Sequence, residues 1–213
     1  GKRYPAILLQ YSGPDAQEVV DQFSYNWEYY LAEQGFVVVS VDGHGTGGRG
    51  ADFRRSTYRQ LGELEAKDQI AVANYLAKQP WIDGNRLGIW GWSYGGYITL
   101  LSLTSPHHPF KAGIAVAPVC DYRYYNTVYT ERYMRTPAEN ETGYNANSPL
   151  LRAGSLTGRL LLVHGLADDN VRANQSLDMA EALIQAGVRF DTQFYPTSNH
   201  SILGQTYRKH LYH

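Results

Sequence analysis

Residues 86–103 constrain this chain more than any other segment. A short apolar run at 86–92 predicts a strand, and 95–103 predicts a helix. Between them Gly91-Trp92-Ser93-Tyr94-Gly95-Gly96 matches the pattern G-x-S-x-G. In a sequence of this composition the five-residue pattern alone turns up by chance roughly once in ten, so its setting carries the weight. A strand that passes directly into a helix must turn sharply at the serine. Such a turn leaves no room for side chains two positions to either side, which is what glycine supplies. It also sets the hydroxyl at a helix N-terminus, where developing negative charge is favoured. The bland alternative is an ordinary glycine-rich corner.

Around this segment, apolar runs alternate with helical patterns along all 213 residues, without repeat, low-complexity stretch or linker. Segments 5–10, 36–41, 86–92, 113–117, 160–164 and 189–195 read as strands. Segments 27–34, 65–79, 95–103 and 173–186 read as helices. Phe36-Val37-Val38-Val39 is apolar on both faces and predicts a central parallel strand. Pro80 stops one helix. In the helix at 173–186, Leu177, Ala180, Leu183 and Ile184 form the expected apolar face, with Gly187 as the C′ residue. Strand–helix alternation of this kind predicts an α/β domain with a parallel sheet covered on both faces. Nineteen basic against twenty acidic residues give no excess that would suit nucleic acid or an anionic membrane surface. No apolar run approaches the ~18 residues of a membrane span. The single cysteine, Cys120, excludes an internal disulfide framework and a cysteine zinc cluster. Gly1-Lys2-Arg3-Tyr4-Pro5 runs straight into the first strand, so the chain reads as a fragment of a longer protein.

A nucleophilic serine needs a base and a group that orients the base, expected here in the order Ser, Asp or Glu, His. Ala167-Asp168-Asp169-Asn170-Val171 follows the strand at 160–164, so Asp168 or Asp169 is the orienting acid. Pro196-Thr197-Ser198-Asn199-His200 follows the last strand, which makes His200 the base. Carboxyl ends of parallel strands share one edge of the sheet, so Ser93, the aspartate and His200 can converge. His164 ends a strand and is expected to pack beneath the site. His107, His108, His210 and His213 have no supporting pattern. Asp169 or Asn170 could also cap a helix beginning near Arg172.

Two further stretches call for a reading. In Asp42-Gly43-His44-Gly45-Thr46-Gly47-Gly48-Arg49-Gly50, Gly43, Gly45 and Gly48 fit a dinucleotide fingerprint, with Glu63 about twenty residues on. Residues 51–60 carry no apolar stripe to pack a helix on the sheet, so a flexible loop bordering the site is the better reading. Tyr122, Tyr125, Tyr129 and Tyr133 recur at helical spacing, in a chain with 18 tyrosines. The first three suit a pocket lining and Tyr133 the core. Tyr11 lies in the loop after the first strand, where the second oxyanion donor belongs, and a phenol can serve there.

Together these residues resemble the catalytic domain of the prolyl oligopeptidase family of serine peptidases, dipeptidyl peptidase IV branch. The likeness rests on Gly91-Trp92-Ser93-Tyr94-Gly95-Gly96-Tyr97, on Val128-Tyr129-Thr130-Glu131-Arg132-Tyr133-Met134, and on His164-Gly165 with Ala167-Asp168-Asp169-Asn170-Val171. It covers nearly the whole chain. The resemblance implies an α/β-hydrolase fold, with Ser93 as nucleophile, Asp168 as the acid and His200 as the base. It makes Tyr11 and the Tyr94 backbone N–H the oxyanion hole. Tyr94, Val119, Tyr122, Tyr125, Tyr129 and Val171 would line a small pocket for proline or alanine, with Asn170 and Arg132 near the substrate. It implies a peptide substrate, no metal or organic cofactor, and a periplasmic or extracellular setting. It further implies an N-terminal β-propeller, absent from these residues, whose glutamates hold the substrate amine, and it leaves room for a homodimer of the full-length protein. The sequence departs from the family at His44, where Arg is usual, at Ser201, where Gly is common, and at Tyr122, where Trp is frequent. An esterase or acylaminoacyl peptidase on the same triad stays open, as does a folded unit without useful activity.

Overall fold

Every strand expected from the sequence forms and pairs in parallel. β1 (Tyr4–Leu9), β2 (Val37–Val39), β3 (Ile82–Trp92), β4 (Ala112–Val116), β5 (Arg159–Gly165) and β6 (Asp191–Tyr195) make one six-stranded sheet in the order β2-β1-β3-β4-β5-β6. The structure is a computed structural model that describes residues 1–23 and 25–212. His213, read above as a residue without a supporting pattern, lies outside them.

The helices are α1 (Trp27–Glu33), α2 (Ala51–Arg55), α3 (Glu63–Ala77), α4 (Tyr94–Leu103), α5 (Thr127–Met134), α6 (Glu141–Ala146), α7 (Asn174–Gln185) and α8 (Gln205–Leu211). Strand side chains alternate between two covered faces. Leu8, Leu87, Ile89, Leu160 and Leu162 pack against Ala73 and Leu76 of α3, Leu100 and Leu103 of α4, and Met179 and Leu183 of α7. On the other face Trp90, Trp92, Ile114, Leu161 and Val163 meet Tyr207 and Leu211 of α8. Trp27 of α1 closes that side against Trp90, ring centroids 5.4 Å apart. No helix among the described residues is long and apolar enough to cross a membrane.

Four expectations need correction. β2 is an edge strand, half-exposed and paired only with β1; the central positions belong to β3 and β4. Its valines are apolar because Val37 and Val39 pack on the main core while α1 lies beside the strand. The buried face of α7 is Gln175, Ser176, Met179 and Leu183, while Leu177 and Ile184 are exposed. The polar pair is buried because it has partners at the sheet edge, Cys120 and Asp121 N–H for Gln175 and His164 for Ser176. Residues 51–60 contain the short helix α2. It needs no stripe because Phe53 anchors it, stacked on His44 at 4.8 Å while its carbonyl accepts the Gly45 N–H, and Arg54 pairs with Asp15 at 3.4 Å. The tyrosine stretch is not one helix. Asp121 starts a 3₁₀ turn at Tyr122–Tyr124 and Asn126 starts α5 afresh, each side chain accepting a backbone N–H.

Candidate active site

Ser93 follows β3 directly and opens α4 at φ 58°, ψ −114°. A non-glycine residue here is strained and persists only where its surroundings over-determine it. The restraints are visible. The Ser93 N–H donates to Val116 O at the end of β4, and the Ser93 carbonyl accepts the Tyr97 N–H. A Cβ on Gly91 would lie 2.3 Å from the Gly95 carbonyl, and one on Gly95 would lie 2.3 Å from Gln10 O. The two glycines of the motif are therefore demanded by backbone approach. Gln10, which ends β1's edge of the site, donates its amide to Gly95 O at 2.7 Å and accepts the Ser12 hydroxyl at 2.9 Å. This ties the loop after β1 to the start of α4.

That loop carries Tyr11. Its ring lies 6.1 Å from the Tyr94 ring, tilted by 52°. Burial, with Tyr125, Glu18 and Tyr133 nearby, pushes its phenol up from the usual range, so it keeps its proton. The Tyr94 N–H is among the first N–H groups of α4, which have no acceptor within the helix.

Asp168 and His200 meet at the far strands. His200 Nδ1–H donates to Asp168 Oδ2 at 2.6 Å. Asp168 Oδ1 accepts the Asn170 and Val171 N–H groups, each at 2.9 Å. His164, fully buried, sets Nε2 3.2 Å from Asp168 Oδ2 and 2.8 Å from Val171 O, with Nδ1 2.7 Å from the Ser176 hydroxyl. Both partners of Nε2 are acceptors, so Nε2 carries the proton and Nδ1 accepts from Ser176. Burial alone would raise the Asp168 carboxyl. The hydrogen bonds from His164 and His200, the His200 charge and the Asn170 N–H outweigh it and hold Asp168 well below the usual carboxylate range. With Nδ1–H committed to Asp168, His200 presents Nε2 as a base. The Trp92 indole donates to His200 O at 2.9 Å, which links the residue before Ser93 to the histidine loop. The Ser93 hydroxyl has no hydrogen bond among the described residues; in ligand-free sites this contact often forms only with substrate.

Of the two aspartates only Asp168 meets His200 among the described residues, and Asp169 is exposed. Neither Asp169 nor Asn170 caps α7, which begins after Ala173 without a side-chain cap. The turn is held by the Asp168 carboxylate instead.

The expected pocket residues come together. Tyr94, Val119, Tyr122 and Val171 are buried in one cluster, with Tyr125 and Tyr129 packed at its border. Tyr122 lies 6.3 Å from Tyr94 and stacks on Tyr129 at 6.5 Å; Tyr125 meets Tyr129 edge-on at 5.4 Å. The Tyr125 hydroxyl donates to Asn170 Oδ1 at 2.6 Å, leaving the Asn170 amide N–H groups to donate elsewhere. Tyr133, expected in the core, is only half-buried: its ring lies 5.0 Å from Tyr129, tilted by 59°, and borders an open cavity beside Arg132. Arg132 stands apart, lining a cavity of about 520 Å³ with Arg54, Arg55, Tyr58 and Asp15. His44 Nδ1 pairs with Asp68 at 2.7 Å, so the glycine-rich loop is anchored rather than loose.

The pattern that defines the prolyl oligopeptidase family matches residues 22–213. The chain belongs to the prolyl oligopeptidase family. It is 47% identical over 206 residues to a probable dipeptidyl-aminopeptidase B of Pyrenophora tritici-repentis, covering 94% of this chain and 23% of that protein. It is 41% identical over 215 residues to dipeptidyl peptidase 4 of Bos taurus, covering 99% of this chain and 28% of the relative. The crystal structure of Porphyromonas gingivalis dipeptidyl peptidase 4 superposes with a TM-score of 0.97 at 54% identity, covering 99% of this chain and 30% of that one. The fold is that of an α/β-hydrolase. The chain spans about a quarter of the length of the curated relatives it matches.

Sequence reasoning missed Gln10 and Trp92, whereas His164 packs beneath the site as expected, fully buried against Asp168. Gln10 gave no signal beyond a polar residue at a strand end.

Proposed function

We propose that this chain is the catalytic part of a serine peptidase that removes dipeptides after proline or alanine from the free N-terminus of peptides. Ser93 is the nucleophile, His200 the base and Asp168 the acid that holds the histidine tautomer. The observation that carries the reading is the His200–Asp168 hydrogen bond at the same sheet edge as a strained serine. His200 Nε2 takes the Ser93 proton as Oγ attacks the carbonyl after proline. The Tyr11 hydroxyl and the Tyr94 N–H donate to the oxyanion that forms. His200 then protonates the leaving amine, and water releases the acyl-enzyme by the same route. Tyr94, Val119, Tyr122, Tyr125, Tyr129 and Val171 clamp the proline ring. Asn170 donates to the substrate backbone, and Arg132 takes part only in the fuller site of the longer protein.

The remainder of that protein, read as a β-propeller, supplies the carboxylates that hold the substrate amine. This chain alone should therefore react with a fluorophosphonate label but discriminate little between Ala-Pro and acetyl-Ala-Pro chromogenic substrates. The test is labelling of wild type and Ser93→Ala, with kcat/KM on Ala-Pro, acetyl-Ala-Pro and Ala-Leu substrates for this chain and the full-length enzyme. Absence of labelling would overturn Ser93. A preference for leucine over proline would favour the esterase or acylaminoacyl peptidase reading. A strong preference for the free amine would put the clamp within these residues.

A further inference from the structure

One buried acid takes no part in the mechanism above. Glu65, in the first turn of α3, is fully buried. Its Oε2 accepts the Gly62 N–H at 3.0 Å, a helix cap. Its Oε1 accepts the Tyr94 hydroxyl at 2.7 Å, which capping does not require. Among the phenols of the cluster the bond stands out. The Tyr97 hydroxyl sits between the Leu61 and Asn147 carbonyls, and the buried Tyr122 hydroxyl has no partner among the described residues. Among the described residues of the cluster only Tyr94 is held by a carboxyl group; its N–H is the oxyanion donor of the proposed mechanism, and its ring touches Tyr11, Tyr97 and Tyr122.

Resting on the reading of Ser93 as nucleophile, we propose that Glu65 is a positioning residue: its carboxyl fixes the Tyr94 ring and, through it, the oxyanion-facing N–H and one wall of the proline pocket. The next residue, Gly95, is already pressed under Gln10 O, so the main chain at Tyr94 is held from both sides. Burial raises the Glu65 carboxyl to about 7, against the opposing pull of its hydrogen bonds to Tyr94 and Gly62. The groups that face it are Asp68 of its own helix, Tyr94 and Tyr97 of α4, Tyr122 of the 3₁₀ turn and Tyr129 of α5.

Glu65→Gln keeps an acceptor for Gly62 but presents an amide to the phenol, and Tyr94→Phe removes the phenol and leaves the cap. Each should lower kcat about tenfold with KM little changed, a fraction of the roughly 10²–10³ lost with an oxyanion donor. The double variant should fall no further than Tyr94→Phe alone. Independently of turnover, the backbone amide NMR signal of Tyr94 should titrate with a midpoint near 7 in wild type and lose that component in Glu65→Gln. Losses that multiply in the double variant, or a reduced melting temperature with kcat intact, would make Glu65 a helix cap and nothing more. A flat Tyr94 amide in wild type would overturn the proposal whatever the activity. An inert wild-type chain with a titrating amide would sink the Ser93 reading and leave the Glu65–Tyr94 coupling standing.

Discussion

Asp168 holds two backbone N–H groups on one oxygen and two imidazoles on the other. A carboxylate with so many donors stays ionised well below the usual carboxylate range, and in the proposed mechanism it keeps a proton on His200 Nδ1. Asp168→Asn offers an amide in its place and traps the wrong tautomer, so kcat should drop by about 10⁴. Asp169→Asn alters an exposed side chain and should cost less than about tenfold. Steady-state kinetics on both variants decide between the two acids, and the opposite ranking would reassign the orienting role. Tyr11 tests the other half of the site. Its ring is anchored beside Tyr94 while its hydroxyl makes no bond among the described residues, as a donor waiting for an oxyanion should. Tyr11→Phe should lower kcat by roughly 10²–10³ at near-constant KM. A change confined to KM would make Tyr11 a wall of the pocket.

The strand–turn–helix of β3 and α4 is where element geometry and chemistry coincide. Gly95→Ala would put a methyl 2.3 Å from a backbone oxygen in a segment already tied by Gln10, Val116 and Tyr97. Neither backbone can retreat, so the variant should lose about 3 kcal/mol or more of stability, at the upper end of overpacking effects. Urea unfolding measures it; a loss below 1 kcal/mol would mean that the turn is looser than its contacts imply. This same element was the most legible in the sequence, because G-x-S-x-G between two apolar runs has few structural solutions. His200 and the Asp168–Asp169 pair were legible through strand order alone. The sequence could not rank the two aspartates, since that depends on which carboxylate the turn folds under Asn170 and Val171. Nor could periodicity see that Leu177 and Ile184 face solvent, because the buried side of α7 is fixed by polar partners at Cys120 and His164. The place of β2 at the edge depends on which strands pair, and three valines read alike at the edge and in the middle.

At the scale of the whole molecule, two buried carboxyls oppose one another. Asp168 is depressed below its unfolded value of 3.8, so the folded chain binds fewer protons there than the unfolded one. Its contribution is present above about pH 4 and is lost as pH falls further. Glu65 is raised from 4.5 to about 7, so between those values the folded chain binds more protons than the unfolded chain. Stability from this group is full below 4.5 and declines until the carboxyl has ionised in the fold, a swing of about 3 kcal/mol by linkage. The two together place the stability maximum near pH 4 and make it fall toward pH 8. Urea midpoints from pH 3 to pH 9 on wild type, Glu65→Gln and Asp168→Asn separate the limbs. Glu65→Gln should flatten the fall between about pH 4.5 and pH 8, and Asp168→Asn should flatten the rise below about pH 4. If the fall persists in Glu65→Gln, the ionisation that weakens the fold near neutrality belongs to another group, and Glu18, raised by burial and by Asp42 and Glu28, is the next to replace.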